Sequence, residues 1–200
     1  MDAAAWDAKY ERAELIWGAP PNDMVVEFCT SLPRGRALDL ACGEGRNALW
    51  LATRGWSVDA VDFSSVALTK AVRIAATATA SIRERVRWVH ADVTTLTPER
   101  NYDLVVIAYL HLSRTERENV LATAVRALKH EGILVIVGHH SANLKNGVGG
   151  PQDPEILYSP DDLVADIGDR MRILVAEDRV RHVGDSAAID ALVVGRVTDE

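Results

Sequence analysis

A doubly wound α/β fold, its sheet mostly parallel with an antiparallel C-terminal strand, is the architecture this sequence predicts, on three observations. Short apolar runs alternate with stretches of helical period, one such run passes straight into a glycine-rich turn at the start of a helix, and two β-prone runs near the C-terminus lie close enough to pair as a hairpin.

Residues 1–32 read as two helices parted by Gly18, Pro20 and Pro21, the second presenting Val25, Phe28, Cys29 and Leu32 on one face. The runs 36–41, 56–61, 86–90, 104–108 and 133–137 are short and mostly apolar, as strands buried on both faces of a parallel sheet should be. Helices belong between them. Ala48, Leu51 and Ala52 recur at helical spacing with Gly55 as the stop, and Leu68, Ala71, Val72 and Ala75 form a stripe behind a cap at Ser64 or Ser65. Leu121, Ala124, Val125 and Leu128 make a third stripe, behind a capping box of Ser113 and Glu116. Residues 138–160 are rich in Gly, Pro, Asn and His, which predicts a long loop of functional interest. A short helix at 161–167 and the paired runs 171–177 and 189–197 close the chain.

Composition excludes several classes of function. Two hundred residues, 48% hydrophobic and 26% charged, suit one globular domain with a full core. Asp and Glu outnumber Lys and Arg by 29 to 22, a formal charge of −7, which opposes nucleic acid and anionic lipid as partners. Cys29 and Cys42 form no Cys-x-x-Cys pair, so neither a disulfide framework nor a thiolate metal site is expected. The start lacks the character of a signal peptide and no apolar run reaches bilayer length, so the expectation is a cytoplasmic protein off the membrane, as monomer or homodimer.

The densest signal is Leu38-Asp39-Leu40-Ala41-Cys42-Gly43-Glu44-Gly45-Arg46-Asn47-Ala48, a buried strand entering Gly-x-Gly-x-x-Ala at a helix start. Such glycines allow a sharp turn and close backbone approach to a ligand, and the third small residue lets helix and strand pack. Asp62 ends the second strand about twenty residues on, where a carboxylate can accept both ribose hydroxyls of a nucleotide cofactor. Asp39 and Glu44 place two acids where a diphosphate would meet the helix N-terminus, so the loop favours a cofactor bearing a sulfonium and an ammonium, S-adenosylmethionine, over a dinucleotide. Asp92, in His90-Ala91-Asp92-Val93 after the third strand, is placed to accept the adenine amino group, with an adjacent backbone N–H donating to the ring. A turn cap before Thr94 and Thr95 is the competing role for this acid.

The segment Asp39 to Gly45, Asp62, Asp92 and Tyr102-Asp103-Leu104-Val105-Val106 resemble the successive motifs of class I S-adenosylmethionine-dependent methyltransferases, over about residues 33–140. Within that class, Gly43-Glu44-Gly45-Arg46-Asn47, Gly55-Trp56, Asp62-Phe63-Ser64 and the N-terminal Trp6-Asp7-x-x-Tyr10 and Ile16-Trp17-Gly18 resemble the tellurite-resistance and thiopurine methyltransferase branch. Ala41-Cys42 departs from the Gly-Cys or Gly-Ser of many members. The resemblance implies a Rossmann-like sheet of seven strands in the order 3-2-1-4-5-7-6, the seventh antiparallel. It implies one domain over 1–200: a helical lid at 1–32, a cofactor-binding core at 33–140, and a substrate loop and hairpin at 141–200. The implied cofactor contacts are Asp39, Ala41, Gly43, Gly45, Arg46 and Asn47 on the loop and Asp62 with Phe63 after the second strand. Asp92 with Val93, Ala108, and Trp17 from the lid complete the set.

Methyl transfer is an in-line displacement that needs an acceptor held about 3 Å from the sulfonium methyl, opposite sulfur. A thiolate or other soft anion arrives ready, whereas a phenol or amine benefits from a general base. Tyr109 and His111 after the fourth strand and His139 after the fifth are the candidate catalytic residues, with His140 and Tyr158 nearby in sequence and His111 foremost. No metal site is expected, since the adjacent pair His139-His140 points apart in extended backbone and no acid has ligand spacing. The acceptor is expected to be a small molecule. Two rival readings are a small nicotinamide-dependent oxidoreductase, which lacks a Tyr-x-x-x-Lys pair here, and a non-catalytic module that binds S-adenosylmethionine.

Overall fold

The computed structural model describes residues 3–16, 18 and 20–198. Residue contacts gather in two compact units, Met1–Leu96 and Thr97–Glu200.

The first unit runs α1 (Ala3–Tyr10), α2 (Asp23–Cys29), β1 (Arg36–Leu40), α3 (Arg46–Thr53), β2 (Ser57–Asp62), α4 (Ser65–Ala75), α5 (Ala80–Arg83) and β3 (Val86–His90). Both ladders are parallel, Leu40 facing Val61 and Asp62 facing His90, so each strand must return over a helix and all three end at the same edge. Apolar side chains of the strands, Leu38, Leu40, Val58 and Val61, are buried with Ala48 and Leu51 of α3 and Ala67 and Ala71 of α4. Ser64 caps α4 by accepting from Ala67 N–H at 3.0 Å. Two details differ from the sequence pattern. The second helix stops at Cys29, short of Leu32, with Asn22 capping its start by accepting from Met24 and Val25 N–H. On α4 Val72 is 50% exposed while Lys70 is buried, because the inward arc is set by Ala67, Ala71 and Ala75, and Lys70 finds oxygen partners beside it.

The second unit runs β4 (Tyr102–Ala108), α6 (Arg114–Ala127), β5 (Leu128–His139), α7 (Asn143–Asn146), α8 (Pro160–Ile167), β6 (Arg172–Val183) and β7 (Ser186–Arg196). One-turn 3-10 helices at Pro154–Ile156 and Gly168–Arg170 flank α8. β4 and β5 are parallel, while β7 lies antiparallel to both β5 and β6. Ser113 and Glu116 form the expected capping box of α6, but Leu128 leaves the helix stripe and opens β5. The C-terminal strands run longer than the apolar pattern of 171–177 and 189–197. Backbone pairing continues through Glu177, Asp178 and Arg179 because those charges stand exposed or half-buried on β6 and cost little there. The loop at 138–160 contains α7, a 3-10 turn and a bridge between His140 and Tyr158. Among the described residues the sheet order is β3-β2-β1-β4-β5-β7-β6, seven strands with the C-terminal pair antiparallel, as the resemblance implies. No helix among the described residues is long and apolar enough to cross a membrane.

Helices α6 and α8 are joined by a buried ion pair, Arg117 Nε to Asp166 Oδ2 at 2.7 Å. Removing the cation strands a carboxylate that is 1% exposed. Arg117→Met is therefore expected to lower unfolding free energy by about 3 kcal/mol, seen as a reduced urea midpoint at unchanged slope, and Asp166→Asn in the same background should recover part of it.

Candidate active site

At the end of β1 the chain makes its sharpest turn: Ala41, Gly43 and Gly45 have φ of 59°, 55° and 81°. Ala41 therefore occupies a left-handed position at a cost of roughly 1–2 kcal/mol. Gly45 is required for a different reason than ligand approach: a Cβ would lie 2.4 Å from the ring of Trp88 on β3.

Asp62 holds this turn. Its Oδ2 accepts from Gly43 N–H at 2.7 Å and its Oδ1 from Ser64 N–H at 2.8 Å, joining the glycine loop to the start of α4. Burial pushes its carboxyl above the ordinary range, with the two amides pulling the other way. Each oxygen retains a lone pair, so a ribose hydroxyl can still donate to it. Asp39 is 1% exposed, and its Oδ2 is buried with no hydrogen-bond partner among the described residues. Burial and the neighbouring Asp62 carboxylate push its pKa up to about 7, against the Ala48 amide and Arg46. An orphaned, proton-prone carboxylate at a strand end is a group that an ammonium or sulfonium would complete.

The other predicted cofactor residues divide by what they touch. Asn47 accepts from Asn22 N–H at 2.9 Å and so ties α3 to the start of α2. Asp92 is exposed, its Oδ1 accepting from the amide and hydroxyl of Thr94, which is the turn-cap geometry; Val93 beside it is buried. Phe63 is half-buried, with its carbonyl 2.9 Å from His90 Nε2, and Arg46 and Ala108 are also half-buried. Trp17 lies outside the described residues.

Glu44 corrects the charge argument made from sequence. Its carboxylate accepts from Ile16 N–H at 2.9 and 3.2 Å and meets Lys70 Nζ at 3.3 Å, so it fastens the N-terminal segment and is neutralised by a cation. The same Lys70 donates to the carbonyls of Tyr10 and Ala13, and Asp7 accepts from the Ser64 and Ser65 hydroxyls and Val66 N–H. Tyr10 is 4% exposed and anchors α1. The expected lid is thus strapped to the glycine loop and α4. Lys70, in the middle of the apolar stripe of α4, was the signal for this role.

In the second unit, Tyr109 follows β4 with φ of 59°, an unfavourable conformation for an aromatic residue and one that turns its phenol toward β7. The phenol donates to Asp190 Oδ2 at 2.8 Å, and Arg181 Nε donates to the same oxygen at 2.9 Å. Asp190 is fully buried; burial alone would raise its pKa, but the facing His139 ring and the hydrogen bonds from Arg181 and Tyr109 outweigh that and hold it low. His139 Nδ1 stands 3.3 Å from Asp190 Oδ1 without the alignment of a formed hydrogen bond. His111 is stacked between His139 and Tyr158, each 5.4 Å away by ring centroid. Its Nε2 accepts from the His139 amide and its Nδ1 meets the Ile156 carbonyl, which fixes a neutral tautomer with both nitrogens engaged. Burial and His139 push its pKa down to about 4. The structure thus brings Tyr109, His111 and His139 together and adds Asp190 and Arg181. An acid inside the apolar run Ala187-Ala188-Ile189-Asp190-Ala191-Leu192 was the sequence signal for Asp190.

Residues 37–132 match the family described as Methyltransferase domain. The protein named "Putative methyltransferase YqeM" of Bacillus subtilis (strain 168) is 30% identical over 155 residues, 72% of this chain, and the chain spans 61% of that relative's length. A protein solved for "Conversion of a Disulfide Bond into a Thioacetal Group during Echinomycin Biosynthesis" superposes with a TM-score of 0.75 at 21% identity, over 98% of this chain and 91% of the other. TehB from Haemophilus influenzae gives 0.73 at 17%, over 89% and 63%. The glycopeptide N-methyltransferase MtfA, complexed with S-adenosylhomocysteine, gives 0.71 at 19%, over 92% and 89%. At these identities the structural likeness is one of fold. The strand order is the one that the resemblance to class I methyltransferases implies.

Because Asp39 keeps its proton below about pH 7, a cation seated against it must displace that proton. S-adenosylmethionine affinity is expected to rise between about pH 5.5 and 7, with proton release visible in calorimetry run in buffers of different ionisation enthalpy. Asp39→Asn should abolish that release; a release unchanged in the variant would assign the proton to another group.

Proposed function

We propose that the protein is an S-adenosylmethionine-dependent methyltransferase acting on a small-molecule acceptor. The observation that carries this reading is Asp39, a buried carboxylate with one oxygen unpartnered beside the glycine loop. A diphosphate there would meet like charge, whereas a sulfonium and an ammonium would be stabilised. Asp62 would take the ribose hydroxyls with its remaining lone pairs, Asp92 and the Val93 amide the adenine edge, and Phe63 an apolar flank. The cofactor supplies a methyl group already activated for displacement. The work left to the chain is to hold the acceptor in line, exclude water and manage the acceptor's proton, and we assign that work to Tyr109, His111 and His139 as a group.

Calorimetry should show binding of S-adenosylmethionine and S-adenosylhomocysteine and none of NAD; the reverse result would favour the oxidoreductase reading. Turnover should then appear in a panel of phenol, benzylamine, thiophenol and iodide followed by S-adenosylhomocysteine production. Asp62→Ala is expected to weaken S-adenosylmethionine by about 2–4 kcal/mol. An unchanged affinity in folded Asp62→Ala protein would remove this acid from the ribose site.

A further inference from the structure

We propose that His139 is the general base of the transfer and that Asp190 is its positioning residue, so that the acceptor is a hydroxyl or an amine that must give up a proton. This rests on the methyltransferase reading above and narrows it.

The inference follows from what each candidate's polar atoms are already doing. Tyr109 donates its phenol proton to Asp190, and burial beside that carboxylate raises its pKa, so it is held as a donor. His111 has both ring nitrogens engaged and stays neutral between two stacked rings. His140 accepts from Ala142 N–H on Nδ1 and turns Nε2 toward Asp178 at 3.2 Å, which pins the loop to β6. His139 differs. Its Nδ1 and Asp190 Oδ1 are both buried, 3.3 Å apart, and each has no other hydrogen-bond partner among the described residues. Nε2 has none either and is not sealed from solvent.

Asp190 is built for this role. Its Oδ2 takes both Tyr109 and Arg181, which fixes the carboxylate plane and leaves Oδ1 for the imidazole. A carboxylate facing Nδ1 selects the tautomer with the proton on Nδ1 and the lone pair on Nε2. The ring is confined as well: His111 stacks on it, Tyr109 lies 5.0 Å away, and the backbone of Gly150 runs so close that a Cβ would fall 2.8 Å from His139 Cγ and Cδ2.

In the step, a lone pair on the acceptor oxygen or nitrogen forms the bond to the methyl carbon, the carbon–sulfur pair leaves with sulfur, and the acceptor proton passes to His139 Nε2. The resulting imidazolium, with protons on both nitrogens, faces Asp190 and afterwards returns the proton to water. The charged and titratable groups around it are Asp190 on β7, Arg181 on β6, Tyr109 after β4, and His111 and Tyr158 in the loops. Arg181 offsets the charge of Asp190, which therefore orients the ring and does not itself exchange a proton.

The test uses the full chain with 15N-labelled histidine. In the unsubstituted protein, His139 should show a protonated Nδ1 and an unprotonated Nε2. Asp190→Asn should mix the tautomers and lower kcat for phenol or benzylamine while leaving KM for S-adenosylmethionine little changed. Gly150→Ala, which displaces the ring without touching the buried charges, should lower kcat if Asp190→Asn does not fold. His139→Gln should lower kcat for phenol or benzylamine about 100-fold or more and lower thiophenol turnover far less, with calorimetric S-adenosylmethionine affinity showing that the fold stands. Full phenol or amine turnover in His139→Gln, turnover confined to thiophenol or iodide, or a His139 tautomer indifferent to Asp190→Asn would overturn the proposal while the methyltransferase reading stood. Loss of S-adenosylmethionine binding in the unsubstituted protein, or binding with no turnover of any acceptor, would overturn that reading and the proposal with it.

Discussion

The carboxylate of Asp62 is the fixed point of the first unit. By accepting one amide from the glycine loop and one from the segment entering α4, it joins two turns that backbone preference alone would leave independent. Its burial has a consequence one strand away. A second carboxylate, Asp39, is kept in the same low-dielectric region, and the mutual repulsion pushes that group toward the protonated form. Asp62 is thus satisfied by the turn it holds, while one oxygen of Asp39 has no hydrogen-bond partner among the described residues. Charge alone would not produce this pairing; it needs two parallel strands ending at one edge, with Asp39 placed beside Ala60 and Asp62 beside His90 in the ladders.

The second unit solves a related problem with another carboxylate. Asp190 is fully buried on β7 and would be costly to keep ionised, yet it gathers Tyr109, Arg181 and His139 from β4, β6 and β5. Parallel pairing of β4 with β5 and antiparallel pairing of β7 with β5 bring the ends of three strands together there, with His139 directly opposite Asp190 in the ladder. The left-handed Tyr109 is the local strain this arrangement sustains.

Fastening of the N-terminal segment joins packing to the glycine loop. Lys70 stands on the inward face of α4 and satisfies two carbonyls and Glu44, while Asp7 covers the open amides and hydroxyls at the start of the same helix. A buried lysine is tolerable only with such a set of oxygens around it. Segment, loop and helix are therefore coupled through one ammonium group, and a change at any of them is felt by the others.

Taken alone, the sequence determined the parallel core, the glycine turn, the acids at the strand ends, the caps at Ser64 and Ser113 and the antiparallel finish, because each depends on local periodicity or on residues a few positions apart. It also brought Tyr109, His111 and His139 forward as a group, since all follow strands. Only the tertiary structure shows what each of their polar atoms meets. Whether a histidine nitrogen has a lone pair to offer depends on partners 28 residues away for His111 and on β7 for His139, and no pattern within either segment encodes that. The same holds for Glu44, whose charge looks available in the sequence and is neutralised by Lys70 in the fold, and for Leu128, whose helical spacing yields to a place in the sheet. Spacing along the chain reports which face a side chain occupies; the state of a polar atom is set by what other strands bring to it, and that is a property of the packed molecule.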